Sequence, residues 1–91
     1  MKSTLRFRIK DPLGLHLRPA KDMAQLFLEN PCEIYLRYDK QVANAKSPLS
    51  LLTLAAPCDS EMTLEFLGQD LHKVIEQFLD KFADWMEPLY D

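Results

Sequence analysis

Apolar residues follow two different spacings along the chain, and each spacing predicts one type of secondary structure. Alternation of apolar and polar residues is typical of a strand with one buried face, whereas apolar residues three and four positions apart are typical of an amphipathic helix. The predicted strands cover residues 4–10, 33–38, 41–45 and 62–67. The predicted helices cover residues 17–28 and 71–86, with a short leucine-rich helix beginning at Pro48 between them.

Prolines and glycines separate these elements. A turn is expected at residues 11–14, prolines at 31 and 57 end the first two helices, and Gly68 closes the last strand. The order βαββαβα predicts an α+β fold, an open-faced sandwich with a four-stranded antiparallel sheet and three helices on one face. Three residues near the C-terminus are expected to serve packing or to form a frayed tail: Trp85, Leu89 and Tyr90.

Composition favours a single small domain over residues 1–91. Of the 91 residues, 47% are hydrophobic, and no apolar run is long enough to cross a membrane. The first ten residues lack the hydrophobic region of a signal peptide, so we expect a cytoplasmic location and no membrane partner. Cys32 and Cys58 lack the spacing of metal ligands and are expected to be free thiols. No metal and no cofactor are expected.

Charge is distributed unevenly along the chain. The net charge is −3, but residues 1–46 hold nine lysines and arginines against five acidic residues, and residues 47–91 hold two against nine. The basic half favours acidic partners or phosphate through electrostatic steering. The acidic balance of the whole chain argues against a nucleic-acid partner.

One histidine lies where a glycine turn meets a predicted helix. Gly14 can adopt the backbone angles of a tight turn, and the apolar spacing places His16 near the helix cap. The first amide groups of a helix lack internal partners and favour an anion. Arg18 adds a forked cationic donor, and Pro19 suits the first turn of the helix.

An imidazole at such a position can act as a nucleophile for a phosphoryl group. It is largely neutral at cellular pH, and the free amide groups and Arg18 would stabilise the attached dianion. The simpler interpretation is that His16 only caps the helix. An independent enzyme is a weaker hypothesis, because neither a nucleophile–base pair nor a metal cluster is evident, and His72 is expected on the surface.

Two motifs give the chain a family resemblance. Residues 14–20, GLHLRPA, resemble the active-site motif of the HPr family, the histidine phosphocarriers of the bacterial phosphotransferase system. Residues 45–54, AKSPLSLLTL, resemble the regulatory-serine helix of that family. The resemblance extends over essentially the whole chain and implies the HPr-like fold.

The resemblance implies a role for individual residues. His16 would be phosphorylated on the ring nitrogen nearer the main chain, with assistance from Arg18, and Ser47 would be the regulatory serine, a substrate for HPr kinase/phosphorylase. The family's apolar patch docks the donor enzyme I and then acceptor proteins of the enzyme IIA type, and the chain is expected to be a monomer. The residues expected to contact partners are Leu17, Pro19, Leu49, Leu52 and Leu54.

Several positions differ from the family pattern and leave alternatives open. Leu17 stands where a small residue is usual, and three positions where lysines are common are occupied by Gln25, Leu28 and Ser50. One alternative is the nitrogen-related branch, the NPr proteins, which transfer phosphate to regulators. Another is a regulatory binding module that acts through protein contacts and is switched at Ser47. Within the leucine-rich helix we expect Leu51 and Leu54 in the core and Leu49 and Leu52 exposed.

Overall fold

The computed structural model describes residues 1–90 as three helices packed against a five-stranded sheet. The strands are β1 (Lys2–Ile9), β2 (Glu33–Tyr38), β3 (Gln41–Asn44), β4 (Glu61–Leu67) and β5 (Met86–Pro88). The helices are α1 (Leu17–Leu28), α2 (Pro48–Leu52) and α3 (Leu71–Lys81). The strand order is β3-β2-β4-β1-β5, and every neighbouring pair is antiparallel. The predicted α+β sandwich and its order of helices and strands are confirmed.

Alternation along the central strands sorts side chains between the two faces of the sheet. β1 and β4 pair along their full lengths, from Lys2 opposite Leu67 to Arg8 opposite Glu61. Side chains on the inner face are buried beneath the helices because the strand period is two residues. The fully buried residues of this face include Phe7, Ile9, Leu36, Leu64 and Phe66.

The outer face of the sheet carries ion pairs between strands. Arg8 donates to Glu87 at 2.9 Å and to Glu61 at 3.2 Å, and these bonds raise the pKa of its guanidinium. Glu65 accepts from Arg37 at 3.1 Å and lies 3.5 Å from the Lys2 ammonium. The Arg37 hydrogen bond is the main reason that the pKa of the Glu65 carboxyl is lowered.

Aromatic rings join α3 to the sheet. Phe78 stacks on Phe82 at a centroid distance of 5.0 Å and lies 5.5 Å from Phe7. Trp85 lies 5.7 Å from Phe7 and 5.8 Å from Phe82. Stacked, tilted and edge-on ring pairs of this kind add to the stabilisation from burial. The ring cluster therefore fixes the segment that follows α3 against β1.

The C-terminal segment differs from the prediction. The sheet has a fifth strand, and α3 ends at Lys81 rather than at residue 86. After Phe82 the chain forms a turn, closed by the Trp85 amide on the Phe82 carbonyl at 3.0 Å, and Met86 then pairs with Ile9 at the free edge of β1. The turn keeps residues 82 and 85 on the buried side, so the apolar spacing continues although the helix has ended. Trp85 serves packing, one of the two predicted roles.

The two cysteines lie outside the C-terminal segment. Cys32 is buried, Cys58 is half-buried, and both are free thiols. Burial and the neighbouring Asp59 raise the pKa of the Cys58 thiol. Among the helices of residues 1–90, none is long and apolar enough to span a bilayer.

Candidate functional site

The turn before α1 has a backbone that requires glycine at one position. Gly14 has φ of +68°, and a Cβ there would collide with the carbonyl of Ala56. The Gly14 amide donates to the Asp11 carbonyl at 2.9 Å, and the next amide, of Leu15, donates to the Ala56 carbonyl at 2.9 Å. These bonds set the direction in which the chain enters the helix.

His16 is the N-cap of α1, as the sequence predicts. Its backbone is extended, and its carbonyl accepts from the Ala20 amide at 3.1 Å, but its side chain makes no capping hydrogen bond. The imidazole is 32% exposed. Within residues 1–90 the amide groups of Leu17 and Arg18 donate no hydrogen bond, and Pro19 has no amide hydrogen. The ring therefore lies at an open helix N-terminus with two free donors, where an anion is stabilised.

An aspartate that the sequence analysis did not single out faces the imidazole. Oδ2 of Asp11 lies 3.8 Å from Nε2 of His16. The other oxygen, Oδ1, accepts from the Leu13 amide at 2.8 Å, which fixes the carboxylate within the turn. An aspartate that bonds to the amide two residues later is typical of turns, so Asp11 before Pro12 could have been identified from the sequence.

An open cavity of about 450 Å³ adjoins His16. The N-terminus of α1 contributes His16 and Arg18 to its wall, and the segment at the end of α3 contributes Lys81, Asp84 and Trp85. The Arg18 side chain is exposed and has no hydrogen bond or ion pair to the rest of residues 1–90. In that part of the chain no group of acidic, cysteine and histidine residues could hold a metal ion. The site can thus hold a small anion between free amides and an exposed guanidinium.

Ser47 is the N-cap of α2, as predicted. Its hydroxyl oxygen accepts from the Ser50 amide at 3.2 Å, and its carbonyl accepts from the Leu51 amide at 3.0 Å. Pro48 occupies the first turn. Ser50 in turn accepts from the Asn44 amide at 2.9 Å, which ties the helix to the end of β3. Ser47 thus stabilises α2 through a side-chain cap.

The leucines of the predicted partner surface divide between surface and core. Leu49 is 77% exposed and Leu17 is 64% exposed. Leu52 is half-buried and packs against the core, so the prediction that it is exposed was partly wrong. Leu54 follows α2 and is buried with Leu51, as expected, so its side chain does not belong to an exposed patch. Pro19 is buried in α1, although it reaches the cavity wall.

A further exposed leucine, Leu13, was missed by the sequence analysis. It is 72% exposed and lines the cavity beside His16. It lies in the turn, where no periodic pattern marks it.

Comparison with known proteins identifies the family. The family described as "PTS HPr component phosphorylation site" matches residues 4–84. The phosphocarrier protein HPr of Chlamydia pneumoniae is 32% identical over 75 residues, which are 82% of this chain and 69% of that protein. HPr of Lysinibacillus sphaericus is 34% identical over 73 residues, 80% of this chain and 83% of that protein.

Solved structures show the same architecture. The histidine-containing phosphocarrier protein of a Mycoplasma superimposes with a TM-score of 0.82 at 25% identity, covering 92% of this chain and 93% of its own. HPr of Bacillus anthracis gives a TM-score of 0.76 at 26% identity, covering 84% and 90%. The fold is that of a phosphocarrier-type domain, and the open histidine cap lies within the matched region. The chain belongs to the HPr family of the phosphotransferase system.

Proposed function

We propose that His16 accepts a phosphoryl group from enzyme I, derived from phosphoenolpyruvate, and passes it to acceptors of the enzyme IIA type. The observation that carries this proposal is the position of the imidazole, open to solvent at the N-cap of α1 beside two amide groups without acceptors. The protein is a carrier, and the partners supply the rest of the chemistry. The proposed setting is the cytoplasm, with the chain acting as a monomer.

The transfer step uses one ring nitrogen as the nucleophile. Nδ1 of His16, the nitrogen nearer the main chain, donates its lone pair to phosphorus, and the bond between phosphorus and the donor's leaving group breaks. Nε2 keeps its proton, on the side where Asp11 Oδ2 lies 3.8 Å away. Because the ring becomes more positive as the new bond forms, this carboxylate stabilises it. The reverse step delivers the group to the acceptor.

The bound phosphoryl group would be stabilised by charge and by amide dipoles. The free amides of Leu17 and Arg18 lie at the positive end of α1, and the Arg18 guanidinium can fold over the anion as a forked donor. Since the site remains open to water, this stabilisation is moderate. Moderate stability suits a covalent intermediate that must react again with the acceptor.

Partners would dock on the exposed leucines beside the site. Leu17 and Leu49 expose most of their side chains, and Leu13 extends the apolar surface along the cavity. Small apolar surfaces with a charged margin are typical of transient complexes. We propose that the donor enzyme binds this surface first and that the acceptor binds it after the transfer.

The direct test is phosphorylation of the chain by a bacterial enzyme I and phosphoenolpyruvate. We expect an acid-labile, base-stable adduct that is lost in His16→Ala. His72→Ala is the matched control, because His72 is exposed on α3 and is not among the residues that line the cavity. Labelling that survives in His16→Ala contradicts the proposal.

A second candidate function is a regulatory binding module, favoured by the exposure of Leu49 and Leu17. In this case the partner recognises the leucine surface, and phosphorylation of Ser47 by a kinase of the HPr kinase/phosphorylase type changes the affinity. A dianion at the N-terminus of α2 is tolerated by the helix but repels an acidic partner surface.

The phosphorylation assay separates the two candidates, because partners would contact the exposed leucines in both cases. A module of this kind keeps its affinity in His16→Ala and loses it in Leu49→Asp. A carrier retains donor binding in both the wild type and His16→Ala, but only the wild type becomes phosphorylated. Offering acceptors from the sugar and the nitrogen branches to the phosphorylated chain then assigns the branch.

A further inference from the structure

We propose that Trp85 is a positioning residue for His16, an inference that rests on the proposed function of that histidine. The indole Nε1–H donates to the Gly14 carbonyl at 3.0 Å. The main-chain carbonyl of Trp85 accepts from the amides of Lys10 and Asp11 at 2.8 and 3.2 Å. One buried residue therefore holds both ends of the turn that leads to the site.

The bonded positions are those that determine where the imidazole lies. Gly14 is two residues before His16, and its conformation directs the chain into the helix. Asp11 carries the carboxylate that faces Nε2. A shift of the turn would thus move the nucleophile and its charged neighbour relative to the free amides of α1.

Trp85 is itself held by neighbouring parts of the fold. Its ring packs between Phe7 and Phe82, and its amide donates to the Phe82 carbonyl at 3.0 Å. The next residue, Met86, begins β5 and pairs with Ile9 of β1. β5 and the rings of Phe7 and Phe82 therefore fix the indole, and the indole fixes the turn.

One side of this arrangement lies beyond the matched family region, whereas the turn that it supports lies within that region. The family match ends at residue 84, and Trp85 and β5 follow it directly. Trp85 thus adds a hydrogen bond that supports the turn before His16, and His16 itself lies within the matched family region.

Removal of the indole N–H should slow phosphoryl transfer more than it weakens donor binding. In Trp85→Phe a ring still fills the space, but the Gly14 carbonyl loses its buried donor. Transfer rates depend steeply on the position of the nucleophile, so we expect kcat for phosphorylation to fall by about tenfold. KM for enzyme I should stay within about twofold, because the exposed leucines are unchanged.

The matched control is Phe78→Leu. Phe78 is fully buried in the same ring cluster, but its side chain is neither part of the cavity wall nor bonded to the turn. Both variants should be assayed at a temperature where unfolding curves show each to be folded. The ring ¹⁵N resonances of His16 provide a second readout, which should move in Trp85→Phe and not in Phe78→Leu.

The indole N–H can also be removed with less change in ring shape, because Trp85 is the single tryptophan of the chain. Global replacement of tryptophan by β-(3-benzothienyl)alanine puts sulfur in place of the N–H and nearly preserves the ring shape. This protein should show the slow transfer of Trp85→Phe even if the phenylalanine variant folds poorly.

The outcomes separate the two proposals. Slow transfer in both tryptophan replacements, with normal transfer in Phe78→Leu, supports the positioning role. If both tryptophan replacements transfer the phosphoryl group at the rate of Phe78→Leu, the positioning role is overturned, and His16 remains the proposed acceptor. Phosphorylation of His16→Ala at the wild-type rate instead overturns the proposed function and the positioning role with it.

Discussion

Oδ2 of Asp11 lies 3.8 Å from Nε2 of His16, while Oδ1 of the same carboxylate accepts from the Leu13 amide at 2.8 Å. One side chain thus both stabilises the turn and presents a negative charge to the ring nitrogen farther from the main chain. In the proposed transfer, this charge would favour the tautomer that carries its proton on Nε2, with Nδ1 as the nucleophile.

Asp11→Asn should therefore slow phosphorylation of His16. The amide oxygen can still accept from Leu13, but the charge that stabilises the developing positive ring is lost. At this distance near the surface the charge interaction is of order 1–4 kcal/mol before screening, so we expect a loss of about tenfold. The measurement is the rate of phosphorylation by enzyme I at low and high salt.

The salt dependence and a second variant check the cause. The difference between wild type and Asp11→Asn should shrink at high ionic strength, because salt screens the carboxylate. Asp11→Ala also removes the bond to Leu13 and should be slower than Asp11→Asn at every salt concentration. Equal rates for wild type and Asp11→Asn at low salt would show that the carboxylate plays no part.

Ser47 contributes to stability whether or not it is modified. Ser47→Ala leaves the Ser50 amide without its side-chain acceptor, which should lower the free energy of unfolding by about 1 kcal/mol. Ser47→Thr keeps a hydroxyl and should lower the free energy of unfolding by less than Ser47→Ala does. Urea unfolding curves of the three proteins measure the effect, and a Ser47→Ala protein as stable as wild type would rule out the cap as a source of stability.

Glu65 should make stability depend on pH. Its pKa is lowered below the ordinary value of 4.5, chiefly by the hydrogen bond from Arg37, so the folded state favours the charged carboxylate. The stabilisation is complete above pH 4.5 and is lost as the pH falls through the lowered pKa. With its side chain 17% exposed, Glu65→Gln should cost about 1 kcal/mol at neutral pH and almost nothing in acid.

Unfolding free energies at several pH values test this expectation. Glu76→Gln is the control, because Glu76 is exposed and forms no ion pair with the rest of residues 1–90. Its effect on stability should be small at every pH. A cost of Glu65→Gln that grows as the pH falls would have the wrong sign for this account.

Local patterns in the sequence were sufficient for much of the fold and for the acceptor candidate. Alternation and helical spacing predict the elements through α3, and Gly14 before a periodic run places His16 at a cap. The capping role of Ser47 follows from Pro48 in the same way. These features depend on neighbours within a few residues, which a single sequence displays directly.

The features that the sequence did not reveal depend on distant partners. The Trp85–Gly14 hydrogen bond joins residues 71 positions apart, and β5 exists because β1 offers a free edge. The apolar residues at 82 and 85 fit a turn as well as another helical turn, so spacing alone extended α3 too far. Leu52 similarly lies on a face whose burial is decided by tertiary packing.

The most direct measurement is to phosphorylate the whole chain with enzyme I and phosphoenolpyruvate and to locate the modification by mass spectrometry under alkaline conditions. The account predicts a single phosphoryl group per chain, on His16, that an acceptor of the enzyme IIA type removes. A phosphoryl group found on any other residue, or a chain that stays unmodified although it binds enzyme I, would contradict it.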